Sequence, residues 1–158
     1  MSIVLRPVEP EDETFLFDLY ASTRADEMAQ WGWNEAQQAA FLSLQFNGQQ
    51  ASYRMQFPQA VHRLILFNDQ PVGRMIVLST DEEVRLVDIS LLAEHRNLGI
   101  GSRLIRDLCA EAAGQGKPCR LRVLKSNPAA VRLYLRLGFA PDGESDTHIQ
   151  MKSWPGAQ

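Results

Sequence analysis

LLAEHRNLGIGSRLIRDLC, residues Leu91 to Cys109, decides how the rest of the chain is read. It runs from an apolar strand end through a short polar crossing and a pair of glycines into an amphipathic segment. From Ile100 onward the apolar residues Ile100, Leu104, Ile105, Leu108 and Ala112 recur at helical spacing, while Arg103, Arg106 and Asp107 lie off the stripe. The spacing predicts a helix that begins near Gly99. The first turn of a helix leaves backbone N–H groups without intrahelical partners, and those groups together with the helix dipole attract anions. Gly99 and Gly101 open that backbone to a ligand, and Arg96 and Ser102 add side chains suited to a phosphate. The stretch reads as a phosphate cradle; a glycine-softened loop with no ligand is the plainer alternative.

Two familiar phosphate loops do not fit. A dinucleotide fingerprint needs a third glycine where Leu104 stands, and a nucleotide P-loop needs Gly-Lys-Ser/Thr, whereas Gly101 is followed by Ser102 and Arg103.

The surroundings are those of one globular domain, residues 1–158, with 45% hydrophobic and 22% charged residues. No apolar run is long enough to cross a bilayer, and MSIVLRPVEP at the start carries no export signal, so a cytoplasmic protein without a membrane role is expected. A net charge of −3 offers no broad attraction to nucleic acid. Cys109 and Cys119 form no CxxC pair and read as small core residues in a reducing compartment. His62, His95 and His148 lack ligand spacing, so no metal site is expected.

The elements can be placed in order. Ser2 to Val8 reads as a strand, followed by a helix whose first turn holds Pro10, Glu11, Asp12 and Glu13, which buries Phe15, Leu16, Leu19 and Tyr20, and which is expected to end near Ala25. Asn34 with Gln37 reads as a capping box opening a second helix that reaches about Gln56. Ala60–Phe67, Pro71–Thr80 and Glu83–Leu92 form an antiparallel meander with turns at Asn68 to Gln70 and Asp81–Glu82. After the Gly99 helix, Cys119–Leu124 is a strand parallel to the one before it, because a helix connects the two. Asn127 caps a short helix that Gly138 stops, and Asp146–Trp154 is the last strand.

Two signatures now stand together: Arg96-x-x-Gly99-x-Gly101, and Asn127-Pro128-Ala129-Ala130-Val131-Arg132-Leu133-Tyr134 running on to Leu137-Gly138-Phe139. They resemble the Arg/Gln-x-x-Gly-x-Gly/Ala and Asn-x-x-Ala-x-x-Leu-Tyr…Gly-Phe segments of the GNAT superfamily of N-acetyltransferases. The close resemblance covers roughly Glu83 to Phe139, and Ser2 to Thr80 matches in element pattern. It implies an α/β (α+β) fold, a mixed and mostly antiparallel central sheet of about six to seven strands flanked by about four helices. It implies acetyl-coenzyme A as co-substrate, with no metal. Cofactor contacts follow at Ile89, Ser90, Leu91 and Leu92 on a strand that splays from its neighbour, at Arg96, Asn97, Leu98, Gly99, Ile100, Gly101 and Ser102, and at Asn127, Ala130 and Tyr134.

Acetyl transfer from a thioester to an amine sets chemical demands. The amine is mostly protonated at neutral pH and must lose a proton before it attacks. Asp88, an ionisable group in the apolar run Leu86 to Ile89, is the candidate base, with Glu83 and Glu94 in reserve; pairing of Asp88 with Arg85 or Arg74 is the structural alternative. Backbone N–H groups can polarise the thioester oxygen. Tyr134, by resemblance, protonates the departing thiolate. No covalent enzyme intermediate is needed, since holding donor and amine in line supplies much of the acceleration.

The family places the acceptor between the first two helices, which points to Trp31, Trp33, Phe41, Gln45, Tyr53 and Arg54. Their mix of flat apolar surface, Gln45 and one cation suits a small amine bearing an acidic or polar end better than a polycation, with peptide N-termini, lysines, amino acids, polyamines and aminoglycosides all open as acceptors. A catalytically silent acyl-coenzyme A sensor and an enzyme for longer acyl donors are the rival readings, and a homodimer through an exposed strand edge is compatible with the sequence.

Overall fold

The structure is a computed structural model that describes residues 2–155. Strand β1 (Ile3–Pro7) leads through a 3-10 turn (Pro10–Asp12) into helices α1 (Glu13–Met28) and α2 (Glu35–Gln56). Strands β2 (Val61–Phe67), β3 (Gln70–Ser79) and β4 (Val84–Leu91) follow, then a second 3-10 turn (Ala93–His95) and helix α3 (Ile100–Gly114). Strand β5 (Cys119–Leu124), helix α4 (Pro128–Arg136) and strands β6 (Ala140–Glu144) and β7 (His148–Ser153) complete the described chain.

The seven strands lie in the order β1-β2-β3-β4-β5-β7-β6. β4 and β5 run parallel, whereas β1–β2, β5–β7 and β6–β7 are antiparallel. This is the mixed, mostly antiparallel sheet with four helices that the sequence predicts. Asn34 and Gln37 form the expected capping box, and Asn68 and Asp69 take left-handed dihedrals (φ 49° and 69°) in the β2–β3 turn.

Two elements differ from expectation. Helix α1 continues to Met28, because Met28 is itself buried and Arg24 bonds both Glu27 and the Tyr20 hydroxyl along that last turn. The segment Ala140–Glu144 reads APDGE, a turn-like composition, yet pairs with β7 through a register shift between Pro141 and Glu144. Partner strand β7, not local propensity, makes it a strand, and its outer position tolerates Pro141.

The chain divides into two compact units, Met1–Met75 with Ile89–Arg96, and Ile76–Asp88 with Asn97–Gln158. In the first, Leu16 of α1, Phe46 of α2 and Leu64 of β2 form a buried cluster, packed by Val8, Phe15, Phe17, Tyr20 and Leu66. The Phe17 ring meets Phe46 edge-on at 5.6 Å. In the second, the α3 stripe Ile100, Leu104, Ile105, Leu108 and Ala112 is buried as its period requires, and β5 buries Cys119, Leu121 and Val123 in strict alternation.

A buried carboxylate closes the entrance to α1. Asp12 is 8% exposed, and its two oxygens take a forked pair of hydrogen bonds from Arg6, each 2.8 Å, while Oδ2 also accepts the Glu9 N–H at 2.8 Å. The Arg6 guanidinium, aided by the Glu9 N–H, holds the Asp12 carboxyl below its ordinary value. A depressed folded-state value means the contribution is present above the unfolded value of about 4 and is lost as pH falls through the folded one. Acid unfolding monitored by circular dichroism is therefore expected to be steeper below about pH 4 in the wild type than in Asp12→Asn, and the variant to be less stable at pH 7.

Candidate active site

The turn from β4 into α3 is built by two left-handed residues, Asn97 (φ 62°) and Gly99 (φ 84°), the latter serving as the α3 N-cap with no side-chain cap. Asparagine tolerates that region, and glycine adopts it without cost. The first intrahelical bond runs from the Arg103 N–H to the Gly99 carbonyl at 3.0 Å, so the N–H groups of Ile100, Gly101 and Ser102 precede it. Ile100 is 1% exposed and anchors the turn, while Asn97, Leu98 and Gly99 are exposed and Gly101 and Ser102 half-buried. An added side chain at Gly99 meets open space, so the dihedral alone demands the glycine there. Open surroundings and helix-start N–H groups fit a diphosphate. In the first unit, Arg96 donates from Nε to the Leu91 carbonyl at 3.0 Å, tying the residue that enters the turn to the end of β4.

Strand β4 serves both units. In the second, its ladder to β5 among the described residues comprises Val84↔Cys119 and Arg85↔Arg120, although β5 continues to Leu124. In the first unit, Ile89, Ser90 and Leu91 are half-buried, and the Leu92 N–H donates to the Val72 carbonyl at 2.8 Å. Gly73 lies against this end of β4: a Cβ there would stand 2.2 Å from the Ser90 carbonyl oxygen and 2.8 Å from Leu91 Cδ2. The sequence reading missed Gly73, and the signal was a glycine inside an apolar strand, a mark of close backbone approach.

Tyr134 is fixed from both ends of its helix. Asn127 caps α4 by accepting the Ala130 N–H on Oδ1 at 3.2 Å, so the structure shows Asn127 and Ala130 bonded to each other. At the other end, Gly138 (φ 97°) donates to Leu135 and Phe139 donates to the Tyr134 carbonyl at 3.0 Å, a Schellman closure. The buried Phe139 ring packs 5.9 Å from the Tyr134 ring. Burial first, and the Asp88 carboxylate second, raise the Tyr134 phenol above its ordinary value. Both residues are half-buried members of the second unit, within electrostatic reach of each other.

The reserve carboxylates are placed differently. Glu83 is held by Arg85 at 3.3 Å and Arg120 at 3.1 Å, and Glu94 is exposed in the second 3-10 turn. His95, a neighbour of Glu94, packs against Phe67 and keeps a buried Nδ1 without a hydrogen-bond partner.

The acceptor candidates separate into groups, all in the first unit. Trp31, Trp33 and Phe41 meet as an aromatic cluster with centroids 4.9 to 5.4 Å apart, the two tryptophans 38% and 37% exposed, and the Arg24 guanidinium lies 5.3 Å over Phe41. Gln45 and Arg54 are exposed on α2. The cation beside Tyr53 is Arg74, 4% exposed, 5.3 Å over the ring and bonded to Gln49 and Gln50 at 2.6 and 2.8 Å. Sequence reasoning chose Arg54 for that place; a charged residue within the apolar run Val72 to Ile76 was the signal for Arg74.

The acetyltransferase (GNAT) family profile matches residues 16–139. The chain belongs to that family. Over 66 residues it is 39% identical to the uncharacterized N-acetyltransferase YobR of Bacillus subtilis (strain 168), a match covering 41% of this chain and 27% of that protein. The chain thus spans only about a quarter of the length of the curated relative it matches. PaiA N-acetyltransferase from Thermoplasma acidophilum, solved in complex with coenzyme A, superposes with a TM-score of 0.71 at 16% identity, over 98% of this chain and 99% of that one. The ribosomal-protein-S18-alanine N-acetyltransferase of Escherichia coli gives 0.66 at 20% identity, over 98% and 94%. At such identities the likeness shows the GNAT fold.

The close approach at Gly73 yields a direct test. Gly73→Ala forces the Ser90 carbonyl to move, an overpacking change expected to cost about 1 to 3 kcal/mol in urea unfolding and to weaken coenzyme A binding measured by calorimetry.

Proposed function

We propose that the two units act as one GNAT domain, the family match running through both, and that it transfers the acetyl group of acetyl-coenzyme A directly to a primary amine. Acetyl-coenzyme A supplies the activated acyl group. The observation that carries the proposal is Tyr134, a half-buried phenol fixed by a capped helix start and a Schellman stop and kept protonated by burial and by Asp88. A phenol so held can give its proton to a leaving thiolate and does not ionise in the physiological range.

The other roles follow from placement. The N–H groups at the start of α3 and the left-handed Asn97 and Gly99 receive the diphosphate, with Arg96 and Ser102 at its sides. The C-terminal part of β4, Ile89 to Leu92, lines the pantetheine arm and polarises the carbonyl oxygen through main-chain donors. Asp88 is the proposed base, acting on the ammonium of the acceptor directly or through water. The aromatic cluster of Trp31, Trp33 and Phe41 is the proposed acceptor wall, and Tyr53 with Arg74 over its ring is a second group in the same unit. The cluster's exposed flat faces suit a small polar amine or a peptide end. A cytoplasmic setting belongs to the same reading.

Thiol release from acetyl-coenzyme A, measured over a panel of amino acids, peptides, polyamines and aminoglycosides, names the acceptor class. With that acceptor, Tyr134→Phe is expected to lower kcat by about 10²- to 10⁴-fold while leaving coenzyme A affinity nearly unchanged. Full turnover in Tyr134→Phe contradicts the proposed role. Because Tyr134 works while protonated, its loss of function on the alkaline side lies above the ordinary tyrosine value of about 10. Asp88→Asn removes one of the two causes of that rise, so the variant is expected to be slower and its alkaline limb to move to lower pH.

A further inference from the structure

Helix α2 turns two unlike faces. On one, Phe46 is buried and Gln49 and Gln50 bond Arg74; on the other, Ala40, Leu44, Gly48, Ala51 and Met55 are exposed. Their spacing of four, four, three and four residues keeps them in a single stripe. Leu44 is 70% and Met55 82% exposed, the most open large apolar side chains among the described residues. A helix face turned to solvent ordinarily carries charge, yet Ala36 to Tyr53 holds no charged residue in a chain where 22% are charged.

Gly48 adds an independent observation. Glycine in a helix interior costs stability relative to alanine. Its φ lies outside the left-handed region, and an added Cβ would meet no heavy atom among the described residues within 4 Å. Neither the backbone nor the packing within this chain asks for glycine at that place, so the gap it leaves fits a body that approaches α2 from outside.

We propose that the outer face of α2 is a self-association surface, on which a second copy of this chain docks antiparallel. The stripe is its own complement. With a two-fold axis between Asn47 and Gly48, Met55 meets Ala40 of the second copy, Leu44 meets Ala51 of the second copy, and the two Gly48 positions lie at the crossing. Each large side chain thus faces a small one. The same arrangement opposes the helix dipoles and sets the acidic start of one helix, at Glu35, toward the basic end of the other, at Arg54. Joining sheet edges is the weaker route to a dimer, because the outer strands β1 and β6 carry Pro7 and Pro141, which remove ladder donors. Helix α2 is about 33 Å long, and one helix pair covers less than a standard protein interface, so the dimer forms at micromolar concentration. This surface is independent of acetyl transfer, since no residue of the stripe is assigned to that chemistry.

Sedimentation velocity of the full-length protein from about 1 to about 200 µM tests the surface. The expected result is a concentration-dependent shift from the 17.8 kDa monomer toward twice that mass. Leu44→Glu and Met55→Glu, both at exposed positions, are expected to raise the dissociation constant at least about tenfold without lowering the Tm of the dilute protein. Gly48→Leu is expected to act in opposite senses, raising the Tm of the dilute monomer through helix propensity and weakening the dimer by filling the gap. Orientation is read by oxidising a mixture of Ala40→Cys and Met55→Cys chains and mapping the peptides. A link between positions 40 and 55 is expected, and none between two copies of position 55, which stand about 22 Å apart along an antiparallel pair. A monomer throughout the range, a dimer that the glutamate variants leave intact, or a link between two copies of position 55 each overturns the proposal.

Discussion

The binding of coenzyme A proposed for this chain depends on how it turns from β4 into α3. A helix start offers N–H groups to an anion only if the preceding residues leave it uncovered, and a side-chain cap or a bulky approach would occupy it. Here Asn97 and Gly99 adopt left-handed dihedrals, the cap position carries no side chain, and Ile100 is driven into the interior as the anchor. The amphipathic stripe of α3 holds the helix in place, so the exposed turn is fixed by burial that lies entirely behind it. Arg96, bonded to the Leu91 carbonyl, ties the entering residue to the strand it leaves.

The same economy appears around Tyr134. The Asn…Gly-Phe frame of the second signature has a mechanical meaning in this structure: Asn127 caps the first turn, and Gly138 and Phe139 close the last one on the Tyr134 carbonyl and ring. A nine-residue helix is short for independent stability, and these two closures specify it. The phenol is therefore placed by its neighbours' backbone bonds, while its protonation is set by burial and by Asp88. Opposite in character is the aromatic cluster of Trp31, Trp33 and Phe41, where exposed ring faces and a cation over Phe41 leave surface for recognition.

Much of this was legible in the sequence because the signals were local. Periodicity placed α3 and its buried stripe, the Asn34–Gln37 box opened α2, and the Asn127 and Gly138 bounds of α4 follow from capping chemistry. What the sequence hid was non-local. Strand β6 reads as a turn and exists because β7 pairs with it. Gly73 matters because Ser90, distant in sequence, lies against it, and Arg74 because Gln49, Gln50 and Tyr53 of α2 receive it. Acceptor identity stays least legible, because exposed aromatic and amide groups on α2 are compatible with several amines.

Calorimetric titration with coenzyme A and with pantetheine, side by side, addresses the central claim most directly. The two share the thiol arm and differ in the diphosphate and nucleotide, so the comparison isolates what the turn at Asn97 to Ser102 holds. If that turn grips the diphosphate, coenzyme A binds at least about tenfold more tightly than pantetheine, and the advantage shrinks as salt is raised. Equal affinity for the two, unchanged by salt, would contradict the account.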